Sequence, residues 1–183
     1  MYGTGNVALD LVCTVGHRRT DVLEFLATPA DLVRWVAGTG LVGRPVAVDA
    51  AGLAGAVRLR ETVYRLGIAA IDGAGYRPAD RQALNELAVR EPVEVRLAED
   101  GSVRRSGGLD AVLADVARAA VELLGGPAAR TIRECDAPEC TRLYVDNSRR
   151  GSRRWCDMSS CGNRAKAALF RARHTAPDLA DCP

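Results

Sequence analysis

Four of the six cysteines stand as two pairs, Cys135 with Cys140 and Cys156 with Cys161. Each pair encloses four residues, and fifteen separate the pairs. A tetrahedral zinc site needs short loops that each aim two sulfurs at one point, with a hairpin-length insert to bring the second loop back. Zinc is borderline-soft and has no strong geometric preference of its own, so four thiolates suit it. The spacing predicts one structural Zn²⁺ per chain, held by these four residues. Two disulfides are the alternative, and they require an oxidising compartment. Four buried core thiols are another, but such thiols would not gather as spaced pairs in an Arg-rich segment. A closed set of four sulfurs leaves no coordination position for a substrate, so the site predicts no enzyme. Nor do His17 and His174, far apart in the chain, make a catalytic pair.

Charge surrounds the same stretch unevenly. Residues 130–174 carry 11 basic and 5 acidic side chains, whereas the remainder carries 14 basic and 18 acidic. A basic module attached to an acidic body is the pattern of a nucleic-acid reader. Arg149, Arg150 and Arg153 flank a turn, and Arg164, Lys166, Arg171 and Arg173 lie on the two flanks of a final helix. Guanidinium forks suit phosphates and guanine edges. These seven are the candidate DNA contacts, and a solvated basic face is the plainer alternative. Arg154, beside Trp155, is expected to serve the fold by stacking or by binding a carbonyl. Near the start of the chain, Asp10, Thr14, His17 and Arg18 interrupt or follow an apolar run and form a candidate ligand pocket. An acid in such a run more often caps or pairs locally.

The elements that must position these residues are legible in part. The run at 7–15 is compatible with a strand or a buried helix. Thr28-Pro29-Ala30-Asp31 starts a helix, with Thr28 as cap and Pro29 at its first position; Gly38 and Gly40 stop it. Asp49 caps a long helix through Ile71, on which Arg58, Arg60, Glu61 and Arg65 read as a solvated face. Pro78 opens a short helix with Leu84 and Leu87. Alternation at 93–97, then Asp100-Gly101 and Val103-Arg104-Arg105, predicts a β-hairpin. Leu109 to Leu124 recurs at helical spacing, and Gly125-Gly126-Pro127 ends it as a linker.

In the finger, Leu143-Tyr144-Val145 is expected to pair with Arg153-Arg154-Trp155 across a turn at 146–152. The last helix is expected from about Cys161 to Arg173, capped by Ser159 or Ser160. Its face of Cys161, Ala165, Ala168, Leu169 and Ala172 should cover the zinc core, with Phe170 pointing away.

The run Arg153-Arg154-Trp155-Cys156-Asp157-Met158-Ser159-Ser160-Cys161-Gly162-Asn163-Arg164-Ala165-Lys166 resembles the CGNR zinc finger family, named for Cys161-Gly162-Asn163-Arg164. More loosely, several N-terminal segments resemble the ABATE-type domain. They are Ala8-Leu9-Asp10-Leu11-Val12, Thr14, Thr28-Pro29-Ala30-Asp31-Leu32, Trp35, Gly40-Leu41, Arg58-Leu59-Arg60-Glu61 and Asn85. Cys13 departs from the family pattern, in which Asn is common at that position, and any contribution of that Asn to a ligand pocket is missing here. The resemblance implies a bacterial transcription regulator with a sensory or regulatory N-terminal domain.

The expectation is an α+β chain. A mainly helical N-terminal domain with a β-hairpin, residues 1–126, precedes a small treble-clef-like Cys₄ zinc finger with its tail, residues 127–183. The expected function is zinc-dependent DNA binding for transcription regulation, with the N-terminal domain sensing a small-molecule effector or forming a homodimer. A zinc-stabilised protein-interaction module without DNA binding is the alternative. The opening residues lack the basic start and apolar run of a signal peptide, and no apolar run approaches a membrane span. A cytoplasmic location without a membrane partner is therefore expected. Cys13 lies in an apolar run and Cys182 in the polar tail. Serine at both positions is expected to leave zinc at one per chain, as measured by elemental analysis of the purified protein.

Overall fold

The computed structural model describes residues 3–174, and for Ala172 and Arg173 the backbone alone. A helical body is built from α1 (Val7–Val12), α2 (Pro29–Thr39), α3 (Ala50–Ile71), α4 (Pro78–Ala88) and α5 (Leu109–Gly125). Among the described residues there are three two-stranded antiparallel pairs: β1 (Val15–Gly16) with β2 (Leu23–Glu24), β3 (Glu94–Leu97) with β4 (Val103–Ser106), and β5 (Ile132–Glu134) with β6 (Leu143–Val145). A 3₁₀ turn, Pro127–Thr131, leads into β5, and a π turn, Met158–Gly162, leads into α6 (Asn163–His174).

Local chemistry accounts for most of these boundaries. The opening apolar run resolves as a helix, because Asn6 accepts the Ala8 amide and closes the first turn of α1. Thr28 and Asp31 form a reciprocal capping box at α2, and Gly40 ends that helix in the left-handed region at φ 70°. Asp49 accepts the Gly52 amide at 2.7 Å and caps α3. The β3–β4 hairpin forms as the alternation predicts, but every residue of its two strands is exposed.

The packing crosses the expected boundary at Gly126. One core joins Leu9 and Val12 of α1, Leu59 and Val63 of α3, and Val112 and Val116 of α5 to Ile132, Leu143 and Val145 of the last hairpin. α3 approaches β6 closely at Gly67, where a Cβ would stand 2.7 Å from the Leu143 side chain.

Two expectations from the sequence fail here. β6 pairs with Ile132–Glu134 rather than Arg153–Trp155. Pairing with Ile132–Glu134 lets Ile132, Leu143 and Val145 bury together, an outcome that a Trp155-centred strand could not provide.

The charged residues on α3 are not a solvated face. Arg60 is 3% exposed. Its fork takes both Glu24 oxygens at 2.7 Å, and its Nε donates to Glu61. Arg18 grips Glu61 from the other side and lies 4.0 Å over the Tyr64 ring. Arg65 pairs with the buried Asp80 on α4. Among these four residues, only Arg58 stays exposed without a partner.

Burial alone would raise the carboxyls of Glu24 and Glu61. Hydrogen bonds from Arg60 to Glu24 and from Arg18 to Glu61 outweigh it, and both sit below the usual carboxylate range. The pairing therefore stabilises the fold at neutral pH and is lost as pH falls through the depressed values. Arg60→Ala is expected to cost about 2–3 kcal/mol in urea denaturation at pH 7, below the range for a fully buried pair because the two glutamates are part-exposed. The deficit should begin to shrink as pH falls below about 4.3, the ordinary glutamate value, and close once pH lies below the depressed folded values.

Candidate metal centre and basic surface

β5 and β6 hold the first cysteine pair by making that pair their connection. Cys135 follows β5, its amide donates to the Arg142 carbonyl, and the Cys140 amide closes the knuckle on Ala137. The second pair sits at the π turn. Asp157 caps that turn by accepting the Ser159 amide at 3.0 Å and the Ser159 hydroxyl at 2.7 Å. The cap is thus Asp157 rather than Ser159 or Ser160, and Cys161 lies in the π turn, two residues before α6.

All four cysteines are buried, and their sulfurs lie within 4.8 Å of one another. Cys140 to Cys156 and Cys156 to Cys161 each measure 3.7 Å. A tetrahedron with Zn–S bonds of about 2.3 Å has edges of about 3.8 Å, so the sulfurs fit that ion. The chemistry of the donor set agrees. Hydrogen bonds from Cys140 and Cys156 pull the Cys135 thiol far down, to about 2. The bond to Cys135 pushes Cys140 up to about 11 and Cys156 higher still. Four neighbouring thiols cannot all ionise by themselves; a divalent cation lets them do so. Cys135, Cys140, Cys156 and Cys161 would hold one Zn²⁺, whose contribution here is cross-linking. Cys13 stands apart, its thiol pushed up to about 12 by burial and donating to the Leu143 carbonyl. Cys182 lies outside the described residues.

Side chains around the cluster support the thiolates. Tyr144 is fully buried against the cysteines, and its hydroxyl donates to the Arg153 carbonyl. Arg153, expected on the DNA surface, is turned inward. Its guanidinium donates to the carbonyls of Trp155 and Cys156 and lies 4.6 Å from the Tyr144 ring centre. Arg154 takes the fold role, pairing with Asp136 and standing over Trp155.

The Gly-Asn-Arg triplet acquires a physical account. A Cβ at Gly162 would meet the Met158 sulfur at 2.8 Å. The Asn163 amide donates to the Ser159 carbonyl across the π turn. Arg164 places a guanidinium nitrogen 3.2 Å from the Cys161 sulfur, where a positive charge offsets part of the two-fold excess negative charge of a zinc tetrathiolate. Arg164 thus has a role in the finger, independent of any base it was expected to read.

Arg149 and Arg150 are exposed, with no partner among the described residues. Lys166 and Arg171 are exposed on α6; the Arg173 side chain lies outside the described residues. The face expected to cover the zinc core does not do so. Ala168 is exposed and Leu169 is 58% exposed, because α6 packs chiefly against the π turn and otherwise projects from the body. Phe170 is 62% exposed and stacks on His174 at 4.0 Å.

The candidate pocket residues divide. Asp10 and Thr14 line a cavity of about 250 Å³ beside α2. His17 instead pairs with Asp21 and Arg18 with Glu61, away from that cavity. His17 adopts φ 51°, and the turn it begins carries the Arg18 amide to the Thr141 hydroxyl and the Arg19 side chain to Glu134. Sequence reasoning missed this second attachment of finger to body. It also missed an open cleft of about 1640 Å³ between α3, α4 and the start of α5, lined by charges of both signs. Neither has a motif in the chain.

A mainly helical body carrying a four-cysteine metal finger on one of its own hairpins defines the class. Residues 5–127 match the ABATE family model, described as "Putative stress-induced transcription regulator", and residues 131–174 match the CGNR zinc finger model. No curated protein matches the chain significantly. The chain belongs to the ABATE family and carries a C-terminal CGNR zinc finger.

Chelation of zinc is expected to expose residues 135–142 and 156–174 to hydrogen exchange, while α1, α3 and α5 keep their protection. Cys140→Ser should do the same. Arg164→Ala should speed zinc transfer to a chromogenic chelator several-fold, with Arg164→Lys intermediate. Full zinc occupancy and an ordered finger in Cys140→Ser would contradict the ligand set.

Proposed function

We propose that this protein is a zinc-dependent DNA-binding transcription regulator in which the finger contacts the duplex. The observation that carries the reading is a basic surface left unused by the fold. Arg149 and Arg150 project from an exposed turn and Lys166 is exposed on α6, a helix whose sequence holds no acidic residue. α6 stands clear of an acidic body that would itself repel DNA. Zinc's part is structural: it fixes the π turn from which α6 leaves. In this reading the thiols are ligands, the chain performs no catalytic step, and a cytoplasmic location keeps the sulfurs reduced. Among the described residues no helix is long and apolar enough to cross a membrane.

Exposure of Leu169 and Phe170 on the same helix favours a second reading, in which α6 is a protein-docking surface and its charges only solubilise it.

The test avoids Arg153 and Arg164, because both support the finger. Affinity of the zinc-loaded chain for duplex DNA is measured from 50 to 200 mM salt. Under the proposal, affinity falls steeply with salt through counterion release. Alanine at Arg149, Arg150 and Lys166 weakens binding about evenly across sequences and flattens the logarithmic slope by roughly one unit for each phosphate no longer neutralised. Parent-like binding by a folded, zinc-loaded triple variant would remove this surface from the interface. Absence of salt-sensitive DNA binding in the parent would leave the docking reading in its place.

A further inference from the structure

We propose that the cavity between α1 and α2 is a binding site for a small organic ammonium ion, a primary amine in its protonated form. This inference stands whether or not the finger binds DNA.

The cavity is lined by Asp10, Thr14, Phe25, Leu26, Trp35 and Gly38, with Thr39 at its wall and Asp31 and Arg34 also lining it. Asp10 is 5% exposed. Its Oδ1 accepts the Thr4 hydroxyl at 2.8 Å and the Thr4 amide at 3.4 Å. Among the described residues no donor reaches its Oδ2, and Asp10 lines the cavity. A carboxylate this deep is normally paired, and here half of it is left for something from outside the chain.

The hydroxyls narrow the choice. Thr14 gives its hydrogen to the Leu11 carbonyl at 2.7 Å, and Thr39 gives its own to Val36 at 2.7 Å. Thr14 also accepts from Arg60 at 3.3 Å and Thr39 from the Leu41 amide at 3.2 Å, so neither hydroxyl has a hydrogen left to donate. The Asp10 carboxylate is then the buried polar group that the cavity offers, and the complement of a carboxylate is a donor-rich group. A primary ammonium brings three N–H donors and a full positive charge; a carboxylate or phosphate brings only acceptors.

The cations nearby do not reverse the sign. Arg34 is engaged by Asp31. Arg60, which reaches Thr14 at 3.3 Å from behind, is neutralised by Glu24 and Glu61. Asp10 is held by hydrogen bonds from Thr4 and makes no ion pair among the described residues. Trp35 and Phe25 supply aromatic surface, which suits both a cation and an apolar body. At about 250 Å³ the space lies below the ~300–1,000 Å³ of drug-sized pockets and takes a ligand of about ten heavy atoms.

Calorimetry on the full zinc-loaded chain with 2-phenylethylamine tests the proposal, with 2-phenylethanol and 3-phenylpropionate as neutral and anionic counterparts of similar shape. n-Butylamine tests whether the ring is needed. The expected result is saturable one-to-one binding of at least one amine, with the alcohol at least tenfold weaker and the carboxylate not bound. Asp10→Asn should weaken the amine at least tenfold. Because Asp10 also holds Thr4, that variant could fail to fold, and Gly38→Leu provides an independent check. A Cβ at Gly38 meets nothing within 4 Å, and leucine suits a helix better than glycine, so this variant keeps the fold and adds a side chain at the rim of the cavity that Gly38 lines. It should weaken amine binding several-fold. The proposal is overturned if neither amine binds, if the alcohol binds as well as the amine, or if both variants fold and bind the amine as the parent does.

Discussion

The arrangement depends on a strand, β6, that is buried on both faces. β6 is three residues long, and its side chains alternate, as a strand requires. Leu143 and Val145 enter the helical core with Ile132, while Tyr144 enters the cysteine cluster. One short element therefore serves two cores, an apolar one that organises itself and a sulfur one that needs a metal. A finger of this size has too little apolar surface to fold on its own. Here its root is already ordered by the body, so zinc has only to fix the knuckle, the π turn and the departure of α6.

Arginine chemistry joins the same parts a second time. The turn beginning at His17 sends Arg18 to Glu61 on α3 and Arg19 to Glu134 on β5, while Arg60 clasps Glu24 on β2. These guanidiniums are planar forks with fixed donor directions, so each pairing specifies an orientation as well as a contact. Such bonds add modest stability where they are part-exposed. Arg19 with Glu134 ties the finger's hairpin to this turn, while the other two pairs fix the turn and β2 against α3.

Arginine plays two parts in the finger, and position separates them. Arg153 and Arg164 are drawn onto carbonyls and a sulfur of the metal centre. Arg149, Arg150 and Lys166 are left outward. In the primary structure all five look alike, as a basic run around two cysteines. What distinguishes them is whether a buried acceptor lies within reach, and a linear pattern carries no record of that.

Much of the local structure was legible because its causes are local. The capping box at Thr28, the Asp49 cap, the helical spacing of α5 and the turn at Gly101 each depend on residues within a few positions of one another. The four zinc cysteines were legible for a related reason, since two short loops advertise themselves by spacing alone. The partner of β6 was not, because pairing with Ile132 instead of Trp155 is decided by which choice buries its apolar side against α3. Nor was the burial of Arg60, whose partners lie 36 residues away on β2 and next to it on α3. The division of the candidate pocket followed the same rule: Asp10 and Thr14 reach one cavity, while His17 and Arg18 are turned to other partners. By itself the sequence determined the helices α2 to α5 of the body, the metal-binding cysteines and the charge asymmetry, because these arise from short-range chemistry and composition. Tertiary structure alone decided which charges are spent inside the fold and which remain on its surface, because desolvation and long-range pairing exist only once distant segments are packed together.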